Sequence, residues 1–260
     1  MATRILVISM SITQQIHDTI ELLKGLPING CISGSSMIPE ADFDTWTSVP
    51  DVDVFVYSDM QLLFTSTMLI SGYGFEPASA AEKQKLEWLR DDGCNRKSAL
   101  TTVKVKHGDV IVNLTWKKWK TSLVDVLASF DQSCIMIGYD IPFAWGIDMR
   151  TRDVKVFDDK YSRWSDDSQV SVPNPMRKQK ADRYTTAQWV RQFARVMKYW
   201  ERGIDTRPMA RFYIELIDDV IEKGSLFNTE RDIAGYEEFV EIYAPLRDKM
   251  ALWLEDKEEC

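Results

Sequence analysis

Asp51 and Asp53 lie two residues apart at the start of an otherwise apolar run that ends at Tyr57. Side chains alternate across a strand, so residues two apart point to the same face. If this run is a strand, the two carboxylates stand together and repel each other. A divalent cation would make the arrangement favourable, and neighbouring hard oxygen ligands suit Mg²⁺ or Mn²⁺. The spacing therefore predicts a metal site, against the plainer alternative of two solvated acids.

A second candidate feature lies upstream, where a short apolar stretch ends in Gly34, Ser35 and Ser36. A glycine allows another group to approach the backbone closely, and backbone N–H groups and hydroxyls can bind phosphate oxygens. We therefore predict that these three residues contact phosphate. The alternative is an ordinary turn and helix cap.

Together, the Gly-Ser segment, a spacer and Asp-x-Asp in a strand resemble the nucleotidyltransferase superfamily, which has the polymerase-beta palm fold. The resemblance implies that Gly34, Ser35 and Ser36 bind the phosphates of an NTP at the start of a helix. It also implies that Asp51 and Asp53 are catalytic and hold the metal ions. The spacer, residues 36–50, is a little longer than the commonest family spacing and contains additional acids.

Two later segments resemble a phage and large-DNA-virus group of nucleotidyltransferase-like proteins. They are Phe-Asp-Gln-Ser-Cys at 130–134 and Lys-Tyr-Trp-Glu-Arg-Gly at 198–203. The resemblance implies a phage-encoded protein that acts in the host cytoplasm. Lys198 and Arg202 fall in the second segment and are our candidates for binding the nucleotide phosphates.

The family usually supplies a third acid from a neighbouring strand, and here the sequence departs from the pattern. By order along the chain, the strand over 110–114 should supply it, and the fitting position is Asn113. An amide oxygen can bind a cation, but an amide cannot accept a proton. Asp131 is a candidate substitute for the third catalytic acid, and its alternative role is to cap a turn.

Four cations form a stripe in the C-terminal part of the chain. Arg191, Arg195, Lys198 and Arg202 step by four, three and four, so they are predicted to share one helix face. Such a stripe would suit a triphosphate or a nucleic-acid backbone. The alternative is a solvated face that pairs with Asp or Glu.

The composition of the chain limits the classes of protein to which it can belong. The chain has 260 residues, of which 45% are hydrophobic and 28% charged, so it can bury a core and is not predicted to be disordered. Its formal net charge of −8 gives no general attraction to nucleic acids or anionic membranes. The N-terminus resembles neither a signal peptide nor a membrane span, and four cysteines without metal spacing suggest reduced thiols. We therefore predict a cytoplasmic protein without a membrane partner. The tryptophans are expected mainly in the core.

Periodicity predicts an α+β fold with a mixed sheet, flanking helices and a helical C-terminal part. Predicted helices cover 12–25, 79–91, 121–129, 185–202, 206–223 and 230–257, the last with a break near residues 244 and 245. Gly25, Gly203 and Gly224 are predicted to end three of them. Predicted strands cover 52–57, a hairpin of 101–105 and 110–116, 133–139, and 154–157. The predicted domains are a nucleotidyltransferase-like catalytic domain over 1–160, a boundary loop over 161–184 and a helical domain over 185–260.

The leading functional hypothesis is a metal-dependent enzyme. It would transfer a nucleoside monophosphate from an NTP to a hydroxyl of a tRNA or other nucleic-acid end, a protein or a small molecule. The alternative, favoured by Asn113, is a catalytically impaired protein with the same fold that binds a nucleotide, a nucleic acid or a host protein. In a third hypothesis, the acids are incidental in an interaction protein.

Overall fold

The structure is a computed structural model that describes residues 10–39, 41–91, 100–150, 155–157, 171, 186–223 and 233–258. The chain divides into two compact units. The first comprises residues 1–129 and 135–164, and the second comprises residues 130–134 and 165–260. The predicted boundary loop lies outside the described residues except for Ser171.

The described part of the first unit contains eight strands and four α-helices. The strands are β1 (Gly30–Ser33), β2 (Val52–Val56), β3 (Glu76–Pro77), β4 (Leu100–His107), β5 (Val110–Lys117), β6 (Ile137–Asp140), β7 (Trp145–Asp148) and β8 (Lys155–Phe157). The helices are α1 (Ile12–Lys24), α2 (Asp59–Gly72), α3 (Ala80–Asp91) and α4 (Leu123–Leu127). The strands form one sheet in the order β3-β4-β5-β2-β1-β6-β7-β8. The β2–β5 pair is parallel and the other pairs are antiparallel, which confirms the α+β class and the mixed sheet.

The two faces of the central strands differ in polarity. Val52 and Val54 of β2 and Val112 and Leu114 of β5 are fully buried on one face. The residues between them point to the other face. That second face carries the polar residues of the candidate site, so hydrophobic burial on the first face fixes which way they point.

Local sequence explains where several helices begin and end. Ser11 Oγ accepts a hydrogen bond from Gln14 N at the start of α1, and Ser58 Oγ does the same for Gln61 N at the start of α2. Gly25 caps α1 as predicted. Gly224, predicted to end a later helix, lies outside the described residues.

The second unit is helical in its described part. Its helices are α5 (Thr186–Trp200), α6 (Arg207–Lys223) and α7 (Ile233–Glu258). They share a buried apolar cluster that includes Val196, Met209, Tyr213, Ile217 and Met250.

Two predicted elements were wrong. Residues 133–135 form a 3₁₀ turn, and the strand begins only at Ile137, where it pairs with the unpredicted β7. A short apolar run does not distinguish a turn from a strand. The break predicted near Pro245 is also wrong, because α7 continues through it. Beyond the proline, Leu246, Met250 and Leu254 pack into the apolar cluster with α5 and α6, so tertiary packing holds the helix in place.

Among the described cysteines, Cys31 and Cys134 are buried and form no disulfide, as expected for reduced thiols. Burial raises the pKa of Cys31 to about 12. Cys94 and Cys260 lie outside the described residues. No helix in the described part of the chain is long and apolar enough to cross a membrane.

Gly30 is required by the close approach of β1 to β2. A Cβ atom at this position would lie 2.4 Å from the backbone oxygen of Phe55, which cannot move without disturbing the sheet. We expect Gly30→Ala to lower the free energy of unfolding by about 1–3 kcal/mol. Gly72→Ala is the matched control, because a Cβ there meets nothing within 4 Å, and an alanine in a helix should be neutral or slightly stabilising. Urea denaturation of both variants measures the difference, and equal stabilities would contradict the β1–β2 packing.

Candidate functional site

Strand pairing brings Asp51, Asp53 and Asn113 together. Asp53 of β2 is the register partner of Asn113 in the parallel β5, and Asp51 directly precedes β2. Asn113 Nδ2 lies 2.9 Å from Asp51 Oδ2 and 2.8 Å from Asp53 Oδ1. The two carboxylates therefore lie on one face, as side-chain alternation predicts, and a single amide group bridges them.

The orientation of the Asn113 carboxamide follows from its partners. Ionised carboxylates only accept hydrogen bonds, so the NH₂ group must face them and its two hydrogens satisfy both. The amide oxygen then points away. Asn113 Oδ1 is buried and accepts no hydrogen bond from any residue that the structure describes.

Lys104 adds a positive charge to this group. It is the register partner of Asn113 in β4, and its Nζ lies 3.4 Å from Asp51 Oδ2. The side chains of Lys104 and Asp51 are 46% and 36% exposed, so water screens the pair and its contribution to stability is small. The ammonium nevertheless balances one of the two negative charges.

Lys104 was not predicted as a site residue, although the sequence of the hairpin contains the signal. His107 pairs with Val110 across the turn at Gly108 and Asp109, and counting back along both strands places residue 104 opposite residue 113. A register derived from the turn would have located the lysine beside the predicted third position.

Gly34 lies directly against Asp53. Its φ of +98° and ψ of −163° fall in a region open almost only to glycine. A Cβ added there would lie 2.9 Å from Asp53 Oδ2. The glycine is therefore needed both for its backbone conformation and for the close approach of the carboxylate.

The serines after Gly34 are more enclosed than expected. Ser35 and Ser36 are 7% and 2% exposed, and residues 35–37 form a single 3₁₀ turn instead of the start of a longer helix. Ser36 Oγ is buried and makes no hydrogen bond to the described residues. The predicted phosphate contacts of Gly34, Ser35 and Ser36 stay a prediction.

The donor set suits a magnesium ion that binds together with a substrate. Within the described residues, no group of three or more His, Cys, Asp or Glu side chains could hold a metal. Mg²⁺, however, often uses one or two carboxylates and completes its shell with water and substrate phosphates. A half-turn of the Asn113 amide would exchange Nδ2 with the unpartnered Oδ1 and place a third oxygen beside Asp51 and Asp53.

Asp131 belongs to the second unit and makes its described contacts there. Its Oδ2 accepts hydrogen bonds from Gln192 Nε2 at 2.7 Å and from Arg195 Nη1 at 2.9 Å. Gln192 Oε1 in turn accepts a hydrogen bond from the hydroxyl of Tyr213. These bonds tie the segment 130–134 to helix α5 and neutralise the carboxylate. The catalytic role of Asp131 stays a prediction.

The predicted cation stripe is only partly a helix face. Helix α5 ends at Trp200, so Arg202 lies in the following turn, which ends at Gly203 with φ +78°. Arg202 is 7% exposed and lies over the ring of Tyr199, and Lys198 also lies near that ring. The side chain of Arg191 lies outside the described set. Nucleotide binding by Lys198 and Arg202 stays a prediction.

No protein-family model matches the chain, and no curated protein matches it either. The motifs and the geometry around Asp51 and Asp53 are therefore the features from which its function is inferred.

The cluster of Asp51, Asp53 and Asn113 predicts how a third acid at position 113 would affect stability. Asn113→Asp replaces two hydrogen-bond donors with a third negative charge, so the introduced carboxyl should have a raised pKa in the folded state. A carboxyl with a raised pKa destabilises the fold progressively as the pH rises above about 4, which is the pKa of the same carboxyl in the unfolded chain. At pH 7 and without divalent cations, we expect a loss of about 2–4 kcal/mol in the free energy of unfolding. Denaturation curves between pH 4 and 8 measure it.

Added Mg²⁺ should restore more stability to Asn113→Asp than to the unaltered protein, because the cation offsets the new repulsion. Asn29→Asp, an exposed position, supplies the same change in charge without a neighbouring acid pair. An equal Mg²⁺ response in all three proteins would contradict a cation site at this cluster.

Proposed function

We propose that this chain is a metal-dependent nucleotidyltransferase that transfers a nucleoside monophosphate from an NTP to an acceptor hydroxyl. The observation that carries the proposal is the placement of Asp51 and Asp53 on one face of the sheet, where Asn113 bridges them and Gly34 lies against Asp53. A strand stabilised only by packing has no use for two carboxylates held this close together. The mixed sheet and the helical second unit also agree with the plan that the family resemblance implies.

The residues have distinct parts in this chemistry. An acceptor oxygen attacks the α-phosphorus, the bond to the bridging oxygen breaks, and pyrophosphate leaves. A bound divalent cation would neutralise charge on the phosphates and activate the attacking oxygen. Asp51 and Asp53 would hold that cation, and the phosphates bound to it would lie near the Gly34 turn, which packs against Asp53.

Asn113 limits how the acceptor loses its proton. The amide cannot take the proton, so the proton must pass to Asp51, to Asp53 or to water. Transfer without a dedicated base is slower, because general-base catalysis typically contributes a factor of about 10²–10⁴. The proposal therefore predicts a slow enzyme.

A second candidate function follows from the same amide. Both hydrogens of Asn113 are donated to the carboxylates, which is how a cation-independent structure would stabilise them. A protein of this kind would bind nucleotide in the same place and transfer nothing. The two functions share a site and differ in turnover.

Binding and transfer separate these functions. We expect Mg²⁺ with an NTP to raise the melting temperature of the full chain, since a ligand at one hundred times its Kd adds about 2.7 kcal/mol. Incubation with α-labelled NTP and host RNA or protein should label an acceptor. Asp51→Asn and Asp53→Asn keep the size of the side chains and should reduce labelling by about 100-fold or more, since even supporting residues of metal sites contribute factors of about 10–100.

Asp109→Asn is the matched control, because it removes one negative charge from an exposed position on the β4–β5 hairpin. Labelling that survives in Asp51→Asn and Asp53→Asn would refute the enzyme. Nucleotide binding without labelling, converted to labelling by Asn113→Asp, would identify the impaired form. A chain that binds neither Mg²⁺ nor nucleotide would refute both.

A further inference from the structure

The segment that follows β5 combines aromatic and basic residues. Residues 116–120, which we call the Trp-Lys turn, contain two tryptophans and three lysines. In a chain with a formal net charge of −8, this is a local excess of positive charge. Proteins that bind single-stranded nucleic acids use the same two kinds of side chain, with aromatic rings for the bases and cations for the phosphates.

Trp119 differs from a typical structural tryptophan in both its exposure and its backbone conformation. It was expected in the core, yet it is 79% exposed. Its φ of +68° lies in the left-handed region, which turns usually fill with glycine or asparagine. Lys120 N–H closes the turn on Lys117 O at 3.1 Å, a bond that needs no indole. The backbone of this turn is therefore strained, and a large ring that could be buried is left exposed. A role of the ring in binding accounts for both features.

A cavity of about 410 Å³ adjoins this turn. Tyr57, Asp59, Trp116, Lys118 and Trp119 contribute to its wall. Its volume falls within the range of small-molecule and cofactor sites, which also covers a nucleotide unit. Three of the seven lining residues are aromatic, and the other four are polar: Ser58, Asp59, Lys118 and Thr121.

Lys118 and Trp119 form a ready-made stacking unit. Lys118 Nζ lies over the indole of Trp119, 4.8 Å from the ring centroid. Since the ammonium covers one face of the ring and most of the side chain is exposed, the other face is accessible to a base. The same ammonium is placed to contact the phosphate attached to that base.

The surrounding charges favour one orientation of the ligand. Lys117 is directed elsewhere, with Nζ 3.4 Å from Ser129 Oγ. Ser58 and Asp59 cap the first backbone N–H groups of α2, so this helix terminus is not an additional anion site. Asp59 repels phosphate but can accept hydrogen bonds from base amino groups. Phosphate is therefore favoured beside Lys118 and the base beside Trp119.

We propose that the Trp-Lys turn and its cavity bind single-stranded nucleic acid. A base stacks on Trp119, and Lys118 contacts the backbone. The site shares no residue with the Asp51–Asp53 cluster, so the proposal does not depend on nucleotidyl transfer. Stacking is tolerant of sequence, so binding should show little base preference and strong salt dependence.

Fluorescence anisotropy of the full chain with labelled oligo-U and oligo-dT of about 12 nucleotides tests the proposal. We expect Trp119→Gly to weaken binding about tenfold or more, the effect of losing one stacked base. The same variant should melt no lower than the unaltered protein, because glycine is at ease with the positive φ of this turn. Loss of binding without loss of stability would separate recognition from folding.

Two matched controls accompany this variant. Trp88→Ala removes a half-exposed tryptophan from helix α3 and should leave binding unchanged. Lys118→Gln should lower the slope of log affinity against log salt by about 0.7, the contribution of one phosphate contact, while Lys83→Gln on α3 should not.

Binding of either oligonucleotide with these responses supports the proposal, and a preference for oligo-U or oligo-dT identifies the sugar. Unchanged affinity in Trp119→Gly would overturn it. It would also be overturned if polyglutamate of the same charge bound as tightly with the same dependence on Lys118, which would indicate an acidic protein partner.

Discussion

Repulsion between two carboxylates is the constraint around which the site in the first unit is arranged. Asp51 and Asp53 cannot avoid each other, because burial of Val52 and Val54 fixes the opposite face of β2. The structure offsets the repulsion with the two amide hydrogens of Asn113 and, more weakly, with the ammonium of Lys104. Three adjacent strands must therefore stay in register for two acids to be tolerated. A slip of one residue in any of them would remove a donor from the cluster.

The same repulsion between carboxylates allows two roles for Asn113, which differ only in the orientation of its side-chain amide. With its NH₂ group toward the acids, the residue stabilises the pair without a cation. With its oxygen toward them, it becomes a neutral third ligand. The change needs only rotation of a terminal amide, whose rotamer wells are broad. An aspartate at this position would bind a cation more strongly, but it would add to the repulsion whenever the cation was absent. Asn113 thus stabilises the fold when no metal is bound, and in exchange it binds a metal less strongly than an aspartate would.

Much of the first unit could be predicted because its signals are local. The hairpin of β4 and β5, the cap of α1 at Gly25 and the alternation around Asp53 all follow from spacing and turn chemistry. The contacts of Asp131 could not be predicted in this way, because Gln192 and Arg195 lie about sixty positions further along the chain and no pattern links them to it. The prediction of a break in helix α7 near Pro245 failed for the opposite reason, since packing against α6 overrides a strong local rule. Composition also favoured a buried Trp119, but the structure exposes 79% of it.

Backbone strain separates structural turns from turns that carry an added side chain. Two non-glycine residues in the described part of the chain have positive φ, Ala144 and Trp119. Ala144 lies in the short connection between β6 and β7, where its N–H bonds to Ile141 O and a methyl group adds little crowding. The geometry of the hairpin alone therefore explains the positive φ of Ala144. The turn at Trp119 has an equivalent hydrogen bond and would close as well with glycine, so the indole is an addition that the turn does not need. Where a fold accepts strain and also leaves a large ring in water, binding by that ring is the physical account that explains both.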